Sequence, residues 1–334
     1  MAAYTTIDNP ELYFQVKLYT GNNTGQSITF DGDEDMQPDM VWLKERNGTE
    51  QHNLFDSVRG STIRLMVDAA STDWYSATNI TSFDSDGFTL STADAINDSG
   101  NTMVAWCWKE SATSGLDIVS WSGTGSAKTE SHSLSAVPHF MWNKNRADAT
   151  QHNIYHHKNT SAPETEYLLL EGTGATTDSA VYFNDTAPTS SVFTVSTGTD
   201  ANADGDDFIS YHWTSKQGFS KFGSFLSNGN ADGAFCYLGF RAAYILMKKS
   251  SGAGTDWYIF YNKSPGYNEN NKSVRASQNH DEEQASGYPI DILSNGFKIR
   301  TDNTAIGEDA ATFVYAAFAE APFVNSKGVP CNAR

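Results

Sequence analysis

A chain of 334 residues with 40 acidic and 22 basic side chains carries a formal charge of −18. Its cations are scattered, which excludes a nucleic-acid surface, since that needs clustered Lys and Arg to displace counterions. No apolar run reaches the roughly 18 residues of a membrane-spanning helix, so no membrane insertion is expected.

Residues 1–9 are polar and lack the apolar segment of a signal peptide, so synthesis in a cytoplasm is expected. Cys107, Cys236 and Cys331 are odd in number and have no metal spacing, which agrees with a reducing compartment. Sequons such as Asn47-Gly48-Thr49 are therefore read as turn chemistry. The first strand is expected at 13–18, followed by a turn at 19–25 whose Gly and Asn residues tolerate positive φ. A return strand at 27–30, an acidic loop at 31–39 and a strand at 40–44 around Trp42 come next. Further short strands are expected at 54–55 and 63–67. Aromatic content is high at 13%, and no amphipathic helical run exceeds about three turns. An all-β chain with aromatic cores is predicted.

The stretch 38–60 is written twice. Pro38, Trp42, Lys44, Arg46 and Gln51-His52-Asn53 recur as Pro138, Trp142, Lys144, Arg146 and Gln151-His152-Asn153, at a constant offset of 100. A blurred third copy occupies 244–248 and 256–260. A second block comprises Phe88-Thr89-Leu90, Phe193-Thr194-Val195 and Phe297-Lys298-Ile299. Its first and third copies follow the tight-turn pairs Asp86-Gly87 and Asn295-Gly296. A third block, at 103–108, 208–213 and 313–318, alternates with period two. Val104, Trp106 and Trp108 share one face; Met103, Ala105 and Cys107 share the other. The tryptophan face is expected to line the interior of a two-sheet sandwich.

Such repetition predicts one folding unit used three times. The expected fold is all-β, with tandem jelly-roll-like β-sandwich units, three pseudo-repeats of about 105 residues. Boundaries are placed at 1–112, 113–216 and 217–323, with a polar tail at 324–334 that is either disordered or lying on a neighbour. Exchange of strands between neighbours in one continuous sandwich is the alternative.

The duplicated Gln-His-Asn triplet invites a catalytic or metal reading. Asp256-Trp257-Tyr258 stands in the third copy, so the position does not demand imidazole; a planar side chain opening a strand explains all three. His156-His157 beside His152 would suit a metal on a helix, whereas strand and turn are expected here. Asp31, Asp33 and Asp35 alternate in one acidic loop. Asp200, Asn202 and Asp204 hold positions one, three and five of a calcium-type loop, with Gly205 at six. These three are the candidate calcium ligands. Tyr211 replaces the bidentate Glu expected at position twelve, so a solvated turn competes with the calcium reading. No nucleophile elbow, phosphate loop or zinc motif occurs, and the copies share no acid, base or nucleophile. No catalysis is expected, and no cofactor beyond that calcium. Trp74-Tyr75 and Tyr267, in expected loops, are candidates to stack on sugar rings.

The segments from Asp39-Met40-Val41-Trp42-Leu43-Lys44 through Phe55-Asp56-Ser57-Val58-Arg59-Gly60 carry a family resemblance. So do Leu293-Ser294-Asn295-Gly296-Phe297-Lys298 and the closing strand Val314-Tyr315-Ala316-Ala317-Phe318-Ala319-Glu320. Together the chain resembles virion surface proteins of marine bacteriophages, of the tail-fibre and head-decoration type, built from concanavalin-like or laminin-G-like sandwich repeats. The match covers most of the first and third units and part of the second. The resemblance implies a non-enzymatic virion location, with major capsid or tail proteins as partners and a homo-oligomer such as a trimer. A chain that enters its first sandwich within about ten residues, without a coiled-coil shaft, favours capsid decoration or a tail-surface component over a long fibre. The alternative is a receptor-binding module for host cell-surface polysaccharide.

Overall fold

The computed structural model describes residues 4–284 and 287–331. It is an all-β, multilayer sandwich fold, as expected. Among the described residues, three six-stranded antiparallel sheets each draw on one third of the chain. Sheet 1 runs in space Phe14–Thr20, Thr102–Trp108, Met40–Glu45, Asn53–Asp56, Ile63–Met66, Trp74–Tyr75. Sheet 2 runs Leu116–Ser122, Asp207–Trp213, Phe140–Asn145, Asn153–His156, Glu166–Leu169, Thr177–Asp178. Sheet 3 runs Ser220–Leu226, Thr312–Pro322, Phe240–Lys249, Tyr258–Tyr261, Lys272–Arg275, Glu283–Gln284. The spatial order is the same in all three. Opening and closing strands of each third pair directly, and no strand is exchanged between thirds.

A smaller sheet covers one face of each large one. Gln26–Ile28, Gly87–Leu90 and Ile80–Asp84 cover sheet 1; Lys128–Ser131 with Val192–Val195 cover sheet 2; Phe235–Tyr237, Gly296–Ile299 and Ile290–Leu293 cover sheet 3. The expected tight turns close hairpins here, pairing Asp84 with Gly87 and Leu293 with Gly296. Gly87 has φ +107°, and a Cβ on it would sit 1.9 Å from the Ile28 carbonyl oxygen, so only glycine fits.

The two faces of the large sheets do different jobs from those expected. In the first third, the sandwich interior contains Val41, Leu43, Phe55, Phe88, Ala105 and Cys107. That is the small-residue face of the closing strand. Val104, Trp106 and Trp108 point the other way, into one core shared with Trp142, Tyr211, Trp213, Tyr244 and Phe318 from the other thirds. Ring centroids lie 5.4 Å apart for Trp42–Trp142, 6.4 Å for Trp108–Trp213 and 5.6 Å for Trp106–Tyr244. The three sheets thus converge on a common axis, and the tryptophans fill the wide space where they meet. A sheet packed on both faces yields continuous apolar runs, as in Met40-Val41-Trp42-Leu43, and every residue of Met40–Glu45 is buried. The residual void on the axis is about 20 Å³ with an almost wholly apolar lining.

The start of the polar tail is tied to the chain's own N-terminal stretch. Ser326 donates to the Asp8 carboxylate from its backbone nitrogen at 2.6 Å and from its hydroxyl at 2.5 Å. Val324 and Pro330 form a bridge. The segment lies back on its own N-terminal stretch, where a hydrogen-bonding carboxylate was available; residues 332–334 fall outside the described residues.

Candidate functional site

The duplicated histidines sit where one sheet meets the next. The indole Nε1–H of Trp42 donates to His52 Nδ1 at 2.9 Å, and that of Trp142 to His152 Nδ1 at 2.8 Å. Indole nitrogen is a donor only, so Nδ1 accepts and the proton resides on Nε2. His152 Nε2 then donates to the carbonyl of Met66 in sheet 1, at 3.0 Å. In the third copy Trp257 takes the histidine's place, and its Nε1–H donates to the carbonyl of Leu169 in sheet 2, at 2.9 Å. His52 lies against the backbone of Arg275 in sheet 3, but its buried Nε2 makes no hydrogen bond there. Met66, Leu169 and Arg275 are the last residues of corresponding strands. What the position requires is a planar side chain with an N–H aimed at the preceding sheet. Burial holds His52 and His152 well below the ordinary histidine range, so both are neutral.

A second ring of contacts is made by backbone alone. The N–H of Asp73 donates to the Arg146 carbonyl at 2.9 Å, that of Thr176 to Ser250 at 3.1 Å, and that of Glu282 to Arg46 at 2.8 Å. Each bond joins one sheet's trailing loop to the next sheet, and the third returns to the first. Charges reinforce two of these seams. Arg146 meets Asp73 at 2.6 Å, and Arg46 meets Glu282 at 2.8 Å. Arg59, wholly buried, bridges Asp56 at 2.5 Å and Asp73 at 2.9 Å, while the Tyr211 hydroxyl of sheet 2 donates to Asp56 at 2.6 Å.

Three lysines, one in the third strand of each sheet, are also buried. Lys44 donates to the Glu45 and Gly48 carbonyls at 2.7 and 3.1 Å, and Lys144 to those of Asn145 and Asp148 at 2.5 and 3.1 Å. Lys248 donates to Thr255 and, across a seam, to Gly172 at 2.9 Å. Desolvation lowers all three ammonium groups to about 8. Sequence reasoning found these lysines as repeat markers but missed their burial. The signal was present in a cation kept at one register of an apolar strand.

The candidate calcium residues Asp200, Asn202 and Asp204 begin on a helical turn and end beyond it. Thr199–Asn202 is a short helix, and residues two apart on a helix point in roughly opposite directions. Asn202 is fully buried, donating to the Ser126 carbonyl at 2.7 Å and accepting from the Thr124 nitrogen at 3.2 Å. Asp200 is half-buried, with its carbonyl taken by Asn153 at 2.9 Å, and Asp204 is exposed on the turn. Asn97 repeats the clamp in the first third, donating to the Thr24 carbonyl at 2.6 Å. In both thirds an asparagine thus ties a helical turn to the loop after the opening strand. Among the described residues, no group of three or more His, Cys, Asp or Glu is placed to hold a metal ion.

An open cleft lies at the edge of sheet 1. It measures about 410 Å³ and is bordered by Glu50, Arg64, Trp74, Asn79, Thr92 and Asp94. Arg64 and Trp74 pair across neighbouring strands, with the guanidinium 4.1 Å from the indole centroid. The buried Arg64 Nε has no hydrogen-bond partner. Trp74 is 52% exposed and Tyr75 66%, so this edge offers bare aromatic surface. Tyr267, 67% exposed, lies apart in the third unit.

The fold and these seams define a single-chain, three-sheet β-sandwich body closed around an aromatic axis. The chain belongs to a family described as a domain of unknown function, DUF7483, whose profile matches residues 9–322. That span runs from the Asn9 cap of the first turn to Pro322, the end of the last strand. The family's unit is therefore the whole three-sheet body. No curated protein matches the chain.

Proposed function

We propose that the protein is a non-catalytic structural component of a bacteriophage particle surface, as a capsid decoration or tail-surface protein. The observation that carries this reading is the closed ring of backbone bonds from Asp73 to Arg146, Thr176 to Ser250 and Glu282 to Arg46. One chain thereby closes three sheets of like strand order into a single body. Such a body arrives assembled, and its integrity does not depend on concentration. It suits a three-fold or local three-fold position between capsid or tail subunits. The imidazoles of His52 and His152 and the guanidinium of Arg59 are committed to seams, which accords with a mechanical role.

Reconstruction of purified particles tests the reading. The expected result is density for one chain at each occupied surface position, contacting capsid or tail subunits. Absence of the protein from washed particles would overturn it. A second reading, recognition of host polysaccharide, draws support from the open cleft beside Trp74.

A further inference from the structure

We infer that the Trp74 cleft binds a neutral pyranose ring of a saccharide. The first argument comes from what fills the corresponding place elsewhere. Tyr167 of sheet 2 occupies the register of Arg64, as the pairings Tyr167–Thr177 and Arg64–Trp74 show. There the helix Ala180–Phe183 lays Tyr182 against Tyr167, with centroids 4.1 Å apart and planes at 34°. In sheet 3 the register of Arg64 falls to Ser273, and Tyr288 and Tyr258 pack 5.0 Å apart one strand away. In the first third Trp74 itself lies over Arg64, half exposed, and about 410 Å³ stands open beside it, within the range of small-ligand sites.

The second argument is chemical. A pyranose has an apolar C–H face and a rim of hydroxyls, each both donor and acceptor. Trp74 presents half its surface as a stacking platform. The Arg64 guanidinium borders the cleft as a donor, Glu50 and Asp94 are acceptors, and Thr92 offers a hydroxyl. Glu50 lies close enough to act on the Arg64 charge. Two carboxylates against one guanidinium, in a chain of charge −18, disfavour phosphate and uronate ligands. A neutral sugar is the class that uses both donors and acceptors.

The inference concerns the free protein and does not rest on its place in a particle. The test titrates the intact chain with methyl glycosides of glucose, galactose, mannose and N-acetylglucosamine, and with an array of neutral bacterial polysaccharides. Binding is read by tryptophan fluorescence and saturation-transfer NMR. At least one probe is expected to bind in the millimolar range or tighter. Trp74→Ala should weaken it roughly tenfold or more, with an unchanged melting temperature because the ring is half exposed. Tyr267→Ala should bind like the parent. Silence across the panel, or binding untouched by Trp74→Ala, overturns the inference and leaves the structural role standing.

Discussion

The seam between sheets 1 and 2 and the seam between sheets 2 and 3 make the same backbone contact with different side chains. In the first, Asp73 also meets the guanidinium groups of Arg146 and Arg59. In the second, Thr176 and Ser250 stand in the corresponding places, and neither is charged. Asp and Arg are lost together, so no unpaired charge is left behind. The second seam relies on neutral imidazoles instead: His156 Nε2 bonds the Tyr315 carbonyl at 3.1 Å, and His157 Nε2 that of Phe222 at 2.9 Å. His139 stacks on His157 with centroids 4.0 Å apart. The backbone bond and the ring N–H are common to the seams, and the charges are an addition. A buried ion pair is expensive to desolvate, so its net contribution is small even where breaking it is costly.

The largest effect expected from breaking the charged seam is at Arg59. Arg59→Met leaves the Asp56 and Asp73 carboxylates without their buried partner, and should cost roughly 3–5 kcal/mol in denaturant unfolding. A loss below about 1 kcal/mol would show that water reaches Asp56 freely. Trp108→Ala, which opens the common axis, should cost about the same, roughly 3–5 kcal/mol.

The ring N–H contacts come next. His152→Phe keeps the ring's shape but unpairs both the Trp142 indole and the Met66 carbonyl, at about 1–3 kcal/mol per group. Trp257→Phe unpairs only the Leu169 carbonyl and should cost clearly less. Equal losses in the two unfolding curves would mean that shape, and not the N–H, is what the position supplies.

A smaller effect separates charge from scaffold. Asp73→Thr and Arg146→Ser give the first seam the chemistry of the second. Each alone should destabilise, and the double variant should lose less than the sum, with a coupling on the order of 1 kcal/mol. Strict additivity in the four-variant cycle would remove the ion pair from the account.

Much of this was legible in the sequence, for reasons particular residues make plain. The offset of 100 between Trp42-His52 and Trp142-His152 marked one structural device used twice, and Trp257 showed that imidazole was not its essence. Gly87 and Gly296 marked hairpins because no other residue tolerates those close approaches. Period-two alternation separated the two faces of 103–108, but both are apolar, and alternation cannot say which turns inward. Only the convergence of three sheets on one axis decides that, and this is a long-range property. The calcium-like spacing at Asp200 begins on a helical turn, which the sequence did not show; alternation implies a shared side on an extended chain and opposite sides on a helical turn. The Trp74 cleft was legible only as an exposed aromatic pair; Arg64 reaches it through strand pairing.

The smallest effect sharpens the comparison through pH. Burial lowers His139 to about 4 and His156 to about 3, with His157 and Lys158 adding to the effect on His139. Between those values and the ordinary 6.5 the unfolded chain binds more protons than the folded one. Their contribution is therefore complete above about pH 6.5 and declines as pH falls toward 4 and then 3. Buried carboxyls oppose this: Glu110 and Glu171 are pushed up to about 7 and Asp68 to about 6. Folding holds their protons, so their contribution grows as pH falls from 7 toward the ordinary carboxyl range. Comparing the parent with a His139→Gln, His156→Gln variant cancels the carboxyls, which both proteins share. The difference in melting temperature should be flat above pH 6.5 and move steadily in the variant's favour below it. Parallel curves down to pH 3 would mean these histidines are already hydrated, and the second seam would then owe its neutrality to Thr176 and Ser250 alone.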